Sequence, residues 1–292
     1  MQRTVWVTAS SAPAVLLALA GLARADVVDT REIDETVPVT AGQPLVVIVR
    51  NITGSVRVTG HNSDRIELHA TETVRGDLQA DIERARTELG LRTESEPGRV
   101  AFRVRRLGTN GEAIEDGDCD CHHRRWDEGY NVEYDIELRV PRGATLDLAT
   151  ITDGDVTAES VSGDFTIANV NGGVRLTGLV GSGSVKTVNG DVEATFERAP
   201  AEATSFRTVN GKLDVTFPES LSADLEFATM QGDVFTDFEV ASLAQAPTVN
   251  RDDNRGRFVM RSNRNSAFRV GAGGEKHSFH TLNGDIYVRK AN

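Results

Sequence analysis

Five glycines, Gly154, Gly163, Gly172, Gly181 and Gly190, recur at a constant spacing of nine residues, and Gly211 and Gly232 follow at a spacing of twenty-one. Around most of them the same frame returns: apolar, polar, Gly, small or charged, apolar. It reads Val161-Ser162-Gly163-Asp164-Phe165, Val170-Asn171-Gly172-Gly173-Val174 and Val188-Asn189-Gly190-Asp191-Val192. Further copies are Val209-Asn210-Gly211-Lys212-Leu213, Met230-Gln231-Gly232-Asp233-Val234 and Leu282-Asn283-Gly284-Asp285-Ile286, with a weaker early one at Ile52-Thr53-Gly54-Ser55-Val56. Asn-Gly and Asp-Gly favour positive φ, so each copy is expected to turn the chain at a fixed place. The β-branched flanks alternate as half-buried strands do.

A spacing of nine leaves room for a strand of about five residues and a corner. One such unit cannot bury its apolar face alone, so the units must stack. Two of them make a coil of eighteen residues, which grows to twenty-one after Gly190, where Pro200 and Pro218 replace glycine at the second corner. The fold expected is all-β: a β-solenoid or β-helix-like stack with one short amphipathic helix and a mixed N-terminal capping segment. Gly154, Gly163, Gly172, Gly190, Gly211, Gly232 and Gly284 are its structural turns. Asn189 and Asn210, joined by Gln231, are expected to form an amide ladder. A meander of hairpins competes, because Asn-Gly is also a hairpin signal. One pentad held at constant spacing favours the solenoid.

With its tandem Gly-Asp-Val units behind an export signal, the chain resembles a family of exported bacterial proteins of unknown function that carry an adhesin label. The resemblance covers about residues 35 to 290 and is densest at 143–238. It implies a solenoid-like all-β fold and export, and it brings no catalytic residues. The chain departs from the family at 240–279 and in its cysteine loop.

Three regions are expected. Residues 1–25 read as a signal peptide: Arg3, the apolar stretch around Val15 to Ala20, then Ala23-Arg24-Ala25 before Asp26. Residues 26–142 form the N-terminal β-rich capping segment, with a helix at 77–89 and a Cys/His loop at 107–129. In that helix Leu78, Ile82, Ala85 and Leu89 share a stripe, Asp77 caps the start, Gly90 closes the end, and the whole covers an end or edge of the sheet. Arg99 to Arg106 and Asn131 to Val140 look like a strand pair. Residues 143–292 are the repeat solenoid, interrupted by an Arg-rich insertion at 240–279.

Charge narrows the function. With 44 acidic and 32 basic residues the chain carries −12, a poor balance for nucleic acid, which needs a basic face. No apolar run after the signal reaches the roughly 20 residues of a membrane span. Locally the balance reverses between Arg251 and Lys276. Arg251, Arg255, Arg257 and Arg261 form a candidate binding surface toward an anionic partner, against the alternative of a solvated loop paired with the protein's own acids.

Both cysteines lie in Asp116-Gly117-Asp118-Cys119-Asp120-Cys121-His122-His123. In an oxidising compartment a local Cys119–Cys121 disulfide is the first reading. A soft divalent metal on Cys119, Cys121, His122 and His123 is the second, at a spacing awkward for one ion. Asp155, Asp164, Asp191, Asp233 and Asp285 follow glycine but are too sparse for a calcium site. There is no His-Glu-x-x-His, Gly-x-Ser-x-Gly or Walker loop, so no catalytic residue and no cofactor is expected. The reading is a non-enzymatic exported cell-envelope scaffold or binding protein, adhesin-like, periplasmic first and surface-bound or secreted second. Its partner is an envelope protein or a glycan. The alternatives are a carbohydrate-active β-helix enzyme and a metal-binding envelope protein. If the Cys/His loop and the Arg segment sit at opposite ends of the stack, the scaffold reading gains.

Overall fold

The computed structural model describes residues 27–107, 129–243, 249–252, 257–260 and 266–291. In chain order they form β1 (Val27–Pro38), β2 (Val46–Arg50), β3 (Val56–His61), β4 (Arg65–Gly76), α1 (Gln79–Glu88), β5 (Leu89–Glu96), β6 (Arg99–Arg106) and β7 (Tyr130–Pro141). Then come β8 (Thr145–Ala149), β9 (Val156–Glu159), β10 (Phe165–Ala168), β11 (Val174–Leu179), β12 (Gly183–Lys186), β13 (Val192–Phe196), β14 (Thr204–Arg207) and β15 (Leu213–Phe217). The chain ends with β16 (Ala223–Gln231), β17 (Val234–Thr236), β18 (Val240–Ser242), β19 (Val249–Asp252), β20 (Arg257–Met260), β21 (Ser266–Val270), β22 (Lys276–Asn283) and β23 (Ile286–Lys290).

These strands make two sheets facing each other across one core. The first runs β1-β4-β7-β3-β9-β11-β13-β15-β23-β17-β20-β19 and the second β18-β21-β16-β22-β14-β12-β10-β8-β2-β6-β5. Each coil gives one strand to the second sheet, turns at a glycine corner, and gives the next to the first sheet. Successive coils pair in parallel, as in β10 with β12 and β11 with β13. The stack is therefore a solenoid and not a meander of hairpins. Inward positions alternate with outward ones along every rung. They build a continuous core whose aromatic spine is Phe206, Phe279 and Phe227, level with one another on three adjacent strands, with Phe268 on the next strand level with Leu225.

The corner glycines line up as a column, and close approach is what demands them. A Cβ on Gly154 would lie 2.1 Å from the Gly54 carbonyl oxygen, one on Gly172 the same from that of Gly154, and one on Gly190 the same from that of Gly172. Positive φ, the expected reason, is absent at Gly154, Gly172 and Gly190. Gly211, Gly284 and Gly232 continue the column, while Gly163 and Gly181 stack at the opposite corner. A buried donor three residues before each glycine bonds to the glycine carbonyl of the coil beneath. Asn169 Nδ2 donates to Gly154 at 2.9 Å, and Thr187, Thr208 and Thr281 Oγ1 donate to Gly172, Gly190 and Gly211 at 3.0, 3.0 and 3.1 Å. These bonds satisfy carbonyls that would otherwise be buried without partners.

The amide ladder differs from expectation. It runs Asn171–Asn189–Asn210–Asn283, with side-chain bonds of 2.8, 2.7 and 2.7 Å. Gln231 lies beyond Asn283 and not beside Asn210. The coil β22–β23 is inserted between β14–β15 and β16–β17.

Antiparallel strands close both ends of the stack: β1, β4 and β5 at one, β18, β19, β20 and β21 at the other. They occupy edges that a bare parallel stack would leave unpaired. The helix sits at the first end, joining β4 in one sheet to β5 in the other, with Ile82 and Ala85 buried against Val74. Its N-cap is Leu78 and not Asp77; the Leu78 amide donates to Asp81 Oδ2 at 2.9 Å. Gly90 does not close it, because Leu89 and Gly90 already belong to β5. The expected pairing of Arg99–Arg106 with 131–140 is not formed: β6 and β7 lie in opposite sheets, one on β2 and one on β3. Each layer of a two-sheet stack takes one strand from each sheet, so neighbours in sequence with like patterns end up facing, not pairing.

Candidate binding surface

The outward residues of the second sheet fall into rows that run along the stack, one strand spacing of about 4.8 Å per step. The first row is Asp147, Thr166, Ser184, Ser205, Ser278 and Glu226, level with one another on successive strands. Two residues further along each strand is the second row: Ala149, Ala168, Lys186, Arg207, His280 and Ala228. Two further again is an exposed aliphatic row at the corner, formed by Ile151, Val170, Val188, Val209, Leu282 and Met230. Thr166, Ser184, Ser205, Ser278, Arg207, Glu226, Lys276 and His280 line an open cavity of about 470 Å³ on this face.

Charge on this face is only partly compensated. Lys276 Nζ donates to Glu226 Oε2 at 2.6 Å. That bond, with the nearby charges of His280 and Arg207, holds the Glu226 carboxyl below the usual range. Asp147 is tied to Arg50, and Asp224 accepts two bonds from Arg269 at 2.8 and 2.9 Å. Lys186 and Arg207 make no ion pair among the described residues. Burial, then repulsion by Arg207, lowers the His280 pKa, and its Nε2 is buried with no hydrogen-bond partner among the described residues.

The first sheet pairs several of its outward charges along the stack. There Glu193 takes both Arg175 and Lys212, at 3.0 and 3.1 Å, and Asp214 takes Arg289 at 2.6 Å. Phe235 stacks on Tyr287 with centroids 4.8 Å apart. These charges are paired within the chain, whereas Arg57 on β3 makes no ion pair among the described residues.

Two polar clusters are structural. Glu72 is fully buried and receives Arg31 at 3.1 Å, Arg86 at 3.2 Å and the Tyr134 hydroxyl at 2.5 Å. Burial and the bond to Glu72 raise the Tyr134 pKa. The aspartates after the corner glycines are backbone caps: Asp155, Asp191 and Asp285 accept the amides of Gly173, Lys212 and Asp233 in the adjacent coil at 2.7, 2.8 and 2.8 Å. Their oxygens are engaged along the stack and do not converge on a common point.

Cys119, Cys121, His122 and His123 lie outside the described residues, as do Arg255 and Arg261. Arg251 and Arg257 have their backbones in β19 and β20, and their side chains also lie outside what is described. The strands that carry the two segments are at opposite ends of the stack, β6 and β7 at one and β19 and β20 at the other. Among the described residues no group of three His, Cys, Asp or Glu could hold a metal ion, and no helix is long and apolar enough to cross a membrane. The hydroxyl and cation rows escaped the sequence reading. Their signal was present three residues before the amide: Lys186 before Asn189, Arg207 before Asn210, His280 before Asn283.

No curated protein matches the chain. Among solved structures it is similar to a candidate cell adhesion protein from Clostridium sporogenes, at 9% identity and a TM-score of 0.45, over 90% of this chain and 100% of that one. It is also similar to a candidate adhesin from Bacteroides fragilis, at 9% identity and a TM-score of 0.31, over 89% and 97% of the two chains. Residues 114–257, just under half of the chain, match the Toastrack DUF4097 family.

Proposed function

We propose that the protein is a non-enzymatic, exported binding module of the cell envelope, adhesin-like in contacting a partner through a repeated surface. Its contact face is the outside of the second sheet, and its compartment the periplasm, reached by the export signal at residues 1–25. One observation carries the reading: Lys186 and Arg207 stand level on adjacent rungs without an ion pair among the described residues, beside an open polar cavity that Arg207 itself lines. Uncompensated, ordered charge on a rigid sheet is suited to recognition, since holding it there gains the free protein nothing. Glu226, the carboxylate that lines the cavity, is already bonded to Lys276, so it is not held as a free acid or base. The strands that flank the Cys/His loop and those of the Arg segment lie at opposite ends of the stack, which supports the scaffold reading over one composite site. Arg251, Arg255, Arg257 and Arg261 remain a proposed second contact, and Cys119, Cys121, His122 and His123 a proposed disulfide or metal loop.

The test is capture of envelope fractions on immobilised protein. The Lys186→Ala, Arg207→Ala double variant is expected to lose the captured partner, while Arg175→Ala on the opposite face keeps it. Undiminished capture by the double variant rejects this face as the contact surface.

A further inference from the structure

We infer that the ligand of this face is an extended acidic polysaccharide lying along the stack axis, across the strands; the inference rests on the proposed contact face. The groove pairs two chemistries in parallel rows. Thr166, Ser184, Ser205 and Ser278 offer hydroxyls, each able to donate and accept, on four successive rungs. Beside them Arg207, which lines the cavity, and Lys186, level with it on the next rung, offer cations for an anionic substituent, and Arg207 can grip a carboxylate with two parallel bonds.

A chain of sugars bearing acids supplies both the hydroxyls and the charges that these rows call for, repeated along its length. Competing ligands lack one half of this. A plain polyanion such as polyphosphate has charge and no hydroxyls. Single-stranded nucleic acid wants aromatic platforms for its bases, and the cavity has no aromatic ring other than the His280 imidazole. A small apolar molecule wants an enclosed apolar pocket, and this one is open and lined by polar side chains.

The experiment measures binding of polygalacturonate, dextran sulfate, neutral dextran and polyphosphate to the full exported chain by calorimetry. Polygalacturonate or dextran sulfate is expected to bind, and neutral dextran and polyphosphate to bind at least tenfold more weakly. Removing one charged hydrogen bond is worth about tenfold, so Lys186→Ala and Arg207→Ala together should cost more than tenfold. Ser205→Ala with Ser278→Ala should weaken polysaccharide binding while leaving any residual polyphosphate binding unchanged, and Arg175→Ala should change nothing. No binding of either acidic polysaccharide, equal binding of polyphosphate, or retained affinity in the Lys186 and Arg207 double variant overturns the inference. If the polysaccharides fail yet envelope capture still depends on Lys186 and Arg207, only the ligand class falls and the contact face stands.

Discussion

Asn283 Nδ2 donates to Asn210 Oδ1 at 2.7 Å, although 73 residues separate the two in sequence. The bond records the insertion of the last coil between two earlier ones. β22 has β14 on one side and β16 on the other, so the C-terminal strands are interior layers and not a frayed end. Their amides should therefore exchange as slowly as those of β12 and β13. Hydrogen exchange by mass spectrometry checks this, and early exchange across 276–290 would contradict the inserted order.

Gly190 has no room for a methyl group, because its Cβ would meet the Gly172 carbonyl oxygen at 2.1 Å. Gly190→Ala should cost at least about 3 kcal/mol, through backbone shifts in two coils. Gly143 has nothing within 4 Å of the same position and no positive φ. Gly143→Ala should be neutral or stabilising by a few tenths of a kcal/mol to about 1. Urea denaturation of the pair separates close approach from a general intolerance of alanine.

Thr208 and Val209 are neighbours with opposite roles. Thr208 is buried and donates to Gly190 O, whereas Val209 is exposed. Thr208→Val should destabilise by about 1–3 kcal/mol, since it strands a buried carbonyl. Val209→Thr should stay within about 0.5 kcal/mol of the parent. Reversed effects in thermal melts would refute the assignment of faces.

Glu72 is a buried carboxylate with three donors. Breaking such a cluster leaves charge without compensation, so Glu72→Ala should cost about 3–5 kcal/mol. Tyr134→Phe, which removes one donor and keeps both arginines, should cost about 1–3 kcal/mol. Equal losses in the two variants would mean that packing, not charge compensation, holds this end together.

His277 is buried beside Thr204, with Oγ1 and Nδ1 3.0 Å apart, and stacks on Phe217. Burial holds its pKa down at about 4, below the ordinary 6.5. The fold thus favours the neutral ring. Its contribution is complete above pH 6.5, where the unfolded chain is neutral too, and is lost as pH falls toward 4 and the unfolded state takes up the proton. About 3 kcal/mol should disappear across that window. In His277→Phe this part of the acid sensitivity should be absent; an unchanged stability profile from pH 7 to 4 would assign it elsewhere.

The periodicity of the chain determined the kind of object it makes. Recurring glycines, alternating β-branched flanks and an apolar face too small to be buried alone leave stacked coils as the consistent outcome, and the rungs form where that pattern puts them. These are short-range properties, set by sterics and solvation within a few residues. Tertiary structure decided what the repeats cannot specify about themselves. Because every coil carries nearly the same frame, β22–β23 and β16–β17 offer similar edges to β15, and the order of layers follows from which edge closes best and not from chain order. The same holds for the candidate surface. Lys186, Arg207 and His280 are far apart in the chain, and they become one row only because parallel pairing in register carries equivalent positions onto neighbouring rungs. Whether a charge on such a row is neutralised depends on which residue the adjacent coil brings alongside, as Glu193 does for Arg175 and as none of the described residues does for Lys186 or Arg207.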